Sequence, residues 1–245
     1  MKGSSGDLTG ESGMLMGELP FLVAAAHELK APLALIRQLS LGLEQGYYDA
    51  SETQKIVRQI ILTSEKGVRL TNDLTRTSRL DDGLFQLEPI NSRQLCEEVA
   101  HELTPLFKAR GRELQVNGGR RQLLAVANKD LLKRILINFS DNALQYANTE
   151  NPVVLQASSS AHGQHVRLGV RDYGPAVPKD TWQSIKKHLG TSPQTLHNRP
   201  SSSGLGLYIS GQFAEVMQGS IGASRHRDGA TFYVELLASR QLELL

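Results

Sequence analysis

Four short clusters in this sequence carry side chains whose types and spacing could do chemistry. The first is His27-Glu28-Leu29-Lys30-Ala31-Pro32-Leu33, an imidazole and a carboxylate inside an apolar repeat of helical period. Pro32 cannot donate to the carbonyl of Glu28, and its ring crowds that carbonyl, at a cost of about 3 kcal/mol unless the helix bends. The expectation is a kink that opens the turn carrying His27. An exposed histidine beside an ordinary bend would leave the same string. A zinc helix of the His-Glu-x-x-His kind is excluded, because Ala31 stands where its second histidine would be.

The second cluster is Asn138-Phe-Ser-Asp-Asn142-Ala-Leu-Gln-Tyr146. Asn138, Asn142 and Tyr146 recur every fourth residue and so share one helix face. An amide oxygen there could ligate a hard cation such as Mg²⁺; a solvated polar face is the alternative. The third is Asp172-Tyr-Gly174-Pro at the end of an alternating run, where a carboxylate can accept from an exocyclic amine and Gly174 lets a ligand approach the backbone. The fourth is Ser202-Ser203-Gly204-Leu205-Gly206-Leu207, opening a helix whose unpaired N–H groups favour phosphate. Each is weak alone, since Asp-x-Gly and Gly-x-Gly are common turn strings. No Gly-Lys pair occurs, so a Walker A loop is absent, and Gly204-Leu-Gly206 lacks the third glycine of a dinucleotide fingerprint. His226-Arg-Asp228 mimics a protein-kinase catalytic loop, but no Asp-Phe-Gly follows, so it reads as a turn.

The elements that must position these residues are legible in the periodicity. Leu22, Ala25, Leu29, Leu33, Ile36, Leu39 and Leu43 make a helix stripe over about Glu18 to Glu44. Gly46-Tyr-Tyr-Asp-Ala breaks it, Ser51 offers an N-cap, and a second stripe runs through Val57, Ile60, Ile61, Val68, Leu70 and Leu74 until Asp81-Asp82-Gly83. Two such helices extend roughly 40 Å. A lone hairpin of that length leaves its apolar faces in water, and pairing with its own copy into a four-helix bundle covers them. Beyond Gly83 the texture changes. Strands are expected at Phe85 to Ile90, Leu114 to Asn117, Leu123 to Ala127, Val153 to Ala157 and Val166 to Asp172. Helices are expected from an Asn91 cap to about Arg110, over Asp130 to Ala147 and over Gly204 to Gln218, with a closing hairpin that turns at Arg227-Asp228-Gly229. Residues 175–203 are polar and aperiodic and read as a long mobile loop of the kind that makes a lid.

Composition narrows the function classes. Lys+Arg 27 against Asp+Glu 25 gives a net charge of +2, too small for an electrostatic nucleic-acid footprint, and aromatics at 5% leave few stacking platforms. The longest apolar run, Phe21 to Ala26, falls far short of the roughly 20 residues that span a bilayer, so no membrane segment is expected. The single cysteine, Cys96, excludes a disulfide framework and sits at an apolar helix position, as core packing would place it. Residues 1–17 begin Gly/Ser-rich, start like a cloning remnant, and are expected to be a disordered tail.

Taken in order, a helical hairpin with HELKAPL, then NFSDNALQYA, then DYGP, then SGLGL resembles the sensor histidine kinases of two-component systems, over about residues 18–239. The resemblance implies an α+β chain: an antiparallel hairpin at 18–82 that dimerises into a four-helix bundle and carries histidine phosphotransfer, then an α/β-sandwich ATP-binding domain of the Bergerat type at 83–245, with its lid at about 175–203. It implies that His27 is the phosphorylated histidine and Glu28 the acid that orients or deprotonates it. Asn142 matches the Mg²⁺ ligand, Asn138 a phosphate-side contact, and Tyr146 a residue near the adenine. Asp172 matches the carboxylate that reads the adenine amine, with Gly174 beside it, and Gly204, Leu205, Gly206 and Leu207 match the phosphate-proximal turn. The implied cofactors are ATP and Mg²⁺, and the implied partners are a second copy of the chain and a response-regulator receiver domain whose aspartate takes the phosphoryl group. The implied location is cytoplasmic, as the soluble portion of a longer sensor protein, with the hinge at Leu80 to Leu84.

Several positions depart from the pattern. Ala176 replaces the second glycine of Asp-x-Gly-x-Gly, Gln145 a basic residue, and Ser202 the first glycine of the phosphate turn. Ile185-Lys-Lys-His-Leu stands where an aromatic lid box is usual, and Ala31 where many relatives carry a residue implicated in phosphatase activity. Ala176, Gln145 and Ser202 favour a rival, a degenerate dimeric scaffold with weak or no ATP binding. A gyrase-like or chaperone-like ATPase is a further alternative, but it has no use for HELKAPL.

Overall fold

The computed structural model describes residues 9–80, 85–118, 122–146, 151–160, 163–191 and 204–239. The chain divides into two compact units, Met1–Leu74 with Ser192–Leu205 and Thr75–Thr191 with Gly206–Leu245. The expected order, a helical hairpin followed by a mixed α/β sheet domain, is the one the chain adopts.

The hairpin is α1 (Thr9–Glu44) and α2 (Ala50–Thr77). α1 ends where the amide of Gly46 donates to the carbonyl of Leu43 and Gly46 takes φ 69°, a left-handed stop that favours glycine. The cap of α2 is Asp49, not Ser51. Asp49 Oδ1 accepts from the amide of Glu52 at 2.8 Å while Glu52 Oε2 accepts from the amide of Asp49 at 3.1 Å, a reciprocal box that satisfies two orphan donors. Ser51 is already within the helix, whose first residue is Ala50. α1 also starts at Thr9, so residues 9–17 of the expected disordered tail are helical. Leu15 and Leu19 extend the three- and four-residue spacing of Leu22 upstream, a signal masked by the glycines around it. α1 continues through Pro32 as one helix. Pro32 meets α2 at Gly67, where a β-carbon would lie 3.9 Å from the ring.

Among the described hairpin residues up to Thr77, the buried ones are Ala25 and Asp73, whereas Leu22, Val23, Leu33, Leu41, Val57, Ile61 and Val68 are exposed. Over residues 21–77 the hairpin has an apolar face and almost no interior.

The second unit has its own core. After β1 (Glu88–Asn91) come α3 (Ser92–Ala109), β2 (Leu114–Gly118), β3 (Leu124–Ala127), α4 (Lys129–Tyr146), β4 (Val153–Ser160) and β5 (His165–Arg171). Then follow α5 (Lys179–His188), α6 (Leu205–Val216), β6 (Ser220–His226) and β7 (Gly229–Leu237). Five strands form one sheet in the order β2-β4-β5-β7-β6, with β2 and β4 parallel and every other pair antiparallel; β1 and β3 pair separately. Asn91 caps α3 as expected, accepting from the amide of Gln94 at 3.1 Å. Leu95, Val99, Leu103 and Phe107 of α3 and Leu132, Ile135, Leu136 and Phe139 of α4 are buried with Leu155, Leu168, Val170, Val234 and Leu236 of the sheet. Phe139 lies 6.1 Å, ring to ring, from Phe232. Cys96 belongs to this core, and burial pushes its thiol up to about 12, which leaves it an inert packing residue.

The segment read as an aperiodic loop contains α5. Trp182, Ile185 and Leu189 recur at helical spacing, and Ile185 is buried. Three apolar residues among many polar ones were too few to stand out as a stripe. Lys186, Lys187 and His188 fall in the last turn of α5, where positive charge suits the helix dipole. The rest of the expected lid, 192–203, lies outside the described residues, as do residues 1–8 and the 81–84 portion of the expected hinge.

Candidate functional site

Strand parity decides which way the third cluster faces. Val166, Leu168 and Val170 of β5 are buried, so Asp172, the next residue in that alternation, is presented to the side on which α4 packs. Asp172 is buried at 7% exposure. Its amide donates to the carbonyl of Ala230 at 2.9 Å, and its Oδ1 accepts from the amide of Ala230 at 3.0 Å. The carboxylate is therefore held at a fixed position by the first residues of β7. Gly174 is buried next to it, its amide donating to the carbonyl of Asp228 at 3.1 Å.

Asn138 and Asn142 are both half-buried on α4. Asn138 Nδ2 donates to the carbonyl of Gly206 at 3.3 Å and to Ser210 Oγ at 3.4 Å, while Ser210 Oγ donates to the same carbonyl at 2.8 Å. Asn138 thus ties the first turn of α6 to α4, a bond within the protein in addition to any contact with a ligand. Gly206 faces it closely, with a β-carbon position 3.9 Å from Asn138 Cβ. Gly204, at φ 72°, precedes α6, which opens with Leu205, Gly206 and Leu207. A helix start leaves backbone N–H groups without intrahelical acceptors, the usual seat of a phosphate. Tyr146 is the last residue of α4.

Two departures can be judged on this geometry. Among the described residues the non-glycine with positive φ is Gln218, so Ala176 has no left-handed strain, and it is exposed. Gln145 is exposed near the end of α4. In the hairpin unit, His27 is exposed and Glu28 half-buried, adjacent on α1.

The sequence reading missed what surrounds Asp172. Arg171 forms an ion pair with Asp228 at 2.5 Å and stacks over the Tyr173 ring at 4.3 Å. His226 Nε2 and Thr231 Oγ1 lie 2.9 Å apart beside them, and burial together with the Arg171 charge lowers the pKa of His226. The signal was on the page as Arg171-Asp172 and Arg227-Asp228-Gly229, but only the strand pairing brings the two strings together. Among the described residues no group of three or more His, Cys, Asp or Glu side chains could hold a metal by itself, and no helix is long and apolar enough to cross a membrane.

The chain is similar to known proteins in sequence and in fold. Residues 127–240 match the family described as histidine kinase-, DNA gyrase B-, and HSP90-like ATPase. The chain is 27% identical over 198 residues to the histidine protein kinase SaeS of Staphylococcus epidermidis, covering 80% of this chain and 56% of that protein. It is 32% identical over 218 residues to the sensor protein kinase PmrB of Pseudomonas aeruginosa, covering 86% and 43%. The chain spans about half the length of these curated relatives. In fold it is similar to the histidine kinase ThkA, solved in complex with the response regulator protein TrrA, at a TM-score of 0.63 and 18% identity over 95% of this chain and 65% of that one.

Proposed function

We propose that the chain phosphorylates itself on His27 and passes the phosphoryl group to an aspartate of a response-regulator receiver domain; residues 127–240 match the histidine kinase-, DNA gyrase B-, and HSP90-like ATPase family, and the chain is similar to proteins named as histidine or sensor kinases. The observation that carries this reading is the exposed His27 next to Glu28 on a hairpin helix, in the same chain as an ATPase fold with a buried, backbone-anchored Asp172.

An imidazole nitrogen of His27 attacks the γ-phosphorus in line as the bond to the ADP oxygen breaks. Glu28 accepts the proton of the other ring nitrogen, which raises the electron density of the attacking one. Such transfers depend chiefly on positioning and charge neutralisation. Asp172 accepts from the adenine amine, Gly174 leaves room beside it, and Tyr146 lies near the base. The Gly204–Leu207 turn, with Leu205 and Gly206, presents helix-start amides to the phosphates, while Asn138 holds that turn against α4. Mg²⁺, when bound, neutralises phosphate charge. Asn142 fits it as an amide-oxygen donor. The apolar hairpin faces support a homodimer.

Incubation with γ-labelled ATP and Mg²⁺ tests the reading. The expected product is an acid-labile, base-stable phosphoprotein, as a phosphoramidate is, that is absent in His27→Gln. Equal labelling of that variant removes His27 from the mechanism. No label and no ATP binding by a folded protein favours the scaffold reading that Gln145 and Ser202 support.

A further inference from the structure

We propose that the Arg171–Asp228 pair is a positioning device for Asp172, a side-chain latch that sets how strictly the site reads the nucleotide base; the proposal rests on the reading of Asp172 given above. Asp172 and Arg171 are adjacent on one strand end but on opposite faces of the sheet, because successive residues alternate. The Arg171 side chain therefore starts on the far face, and it is buried there at 9% exposure although its charge is costly to desolvate. What it reaches explains that placement. Nη1 donates to the carbonyl of Asp172 itself and, at 3.4 Å, to the carbonyl of Ala230, while Nη2 meets Asp228 Oδ1 at 2.5 Å. One guanidinium thus grips the backbone of the base-reading residue, the backbone of the residue that donates to its carboxylate, and the turn between β6 and β7.

The turn closes on the same segment from the other side. The Asp228 carbonyl accepts from the amide of Gly174, and Gly229 lies so close that a β-carbon there would be 2.3 Å from the Asp172 carbonyl oxygen and 2.6 Å from its Oδ1. Gly229 also has φ 127°, open to glycine and strained for other residues. The backbone contacts bring the turn and Asp172 together. The Arg171–Asp228 arm, locked further by the Tyr173 ring, fixes their relative angle. The pair is lopsided, with the Arg171 side chain 11% and the Asp228 side chain 64% exposed, so the arm runs from the interior out to the turn. Its consequence is directional. A carboxylate tilted by a fraction of an ångström loses geometry to an exocyclic amine while keeping general affinity for the rest of the nucleotide.

The test is a double-mutant cycle on the full chain, with ATP and GTP affinities from calorimetric titration of wild type, Asp228→Ala, Asp172→Asn and the double variant. Asp228→Ala leaves the backbone clasp intact and is expected to weaken ATP about fivefold while barely changing GTP, and its effect is expected to vanish on the Asp172→Asn background. Asp228→Asn, which keeps an acceptor for Arg171, is expected to recover most of the ATP affinity; it also serves if the alanine variant fails to fold. Equal losses for ATP and GTP, or losses that add in the double variant, overturn the latch while leaving Asp172 in place. If Asp172→Asn itself changes neither affinity, the base-reading role of Asp172 fails and the latch fails with it.

Discussion

At the scale of single residues, backbone groups hold two of the candidate site's side chains. Asp172 is fixed by Ala230, and Asn138 fixes the start of α6. The departures at 145 and 176 differ in kind. A β-carbon at 176 would matter most if it forced a left-handed backbone, and it does not. Ala176→Gly is therefore expected to change ATP affinity less than about twofold, because an exposed methyl blocks little. Gln145 is different: it withholds a positive charge from the end of α4, where the sequence pattern expects one. Gln145→Lys is expected to tighten ATP about threefold at low ionic strength and less at high salt, the range of an exposed charge interaction. Titrations of both variants at two salt concentrations check this, and a larger gain from Ala176→Gly than from Gln145→Lys would reverse the ranking. The chemistry-bearing residue types were legible in the sequence because each came as a short local string. The Arg171–Asp228 contact was not, because no local pattern connects residues in different strands.

At the scale of elements, legibility followed periodicity. The stripes of α1, α2, α3 and α4 and the alternation of β4 and β5 each repeat several times and could be read directly. α5 could not, because its apolar residues are only Trp182 and Ile185, with Leu189 just past its end, among lysines and polar residues. The α2 cap was misassigned for a different reason. Ser51 and Asp49 are both good N-cap types, and only the return bond from Glu52 selects Asp49. The hairpin stripes also state what the element lacks. Leu22, Leu33, Ile61 and Val68 are each more than half exposed, an apolar surface that a second copy of the hairpin would cover. A charge at such a position is harmless on a monomer and costly in a dry interface. Ile61→Asp with Val68→Asp is expected to convert a dimeric chain at micromolar concentration into a monomer by sedimentation, with the α/β unit's circular dichroism retained. A dimer that survives both charges would place its interface elsewhere.

For the whole molecule, two units with unequal interiors imply two kinds of stability. The α/β unit buries Phe107, Phe139, Phe213 and a full set of Leu, Ile and Val residues, each worth about 1.5–3 kcal/mol of transfer free energy, so it can hold itself folded without help. Residues 21–77 of the hairpin bury Ala25 and little else that is apolar. Helices in water gain most of their stability from packing an apolar face, so an unpartnered hairpin should be marginal. If association supplies that packing, hairpin stability depends on protein concentration by mass action, whereas that of the α/β unit does not. Two thermal transitions are therefore expected by calorimetry. Raising the protein concentration a hundredfold should move the hairpin transition upward by the equivalent of about 2.7 kcal/mol per dimer, since each tenfold step is worth about 1.4 kcal/mol, and leave the other in place. Phe213→Ala, which opens a hole in the α/β core, should lower only the concentration-independent transition, by about 3–5 kcal/mol. A single transition that ignores concentration and responds as a whole to Phe213→Ala would mean that the two units unfold together and that the hairpin draws its packing from within one chain.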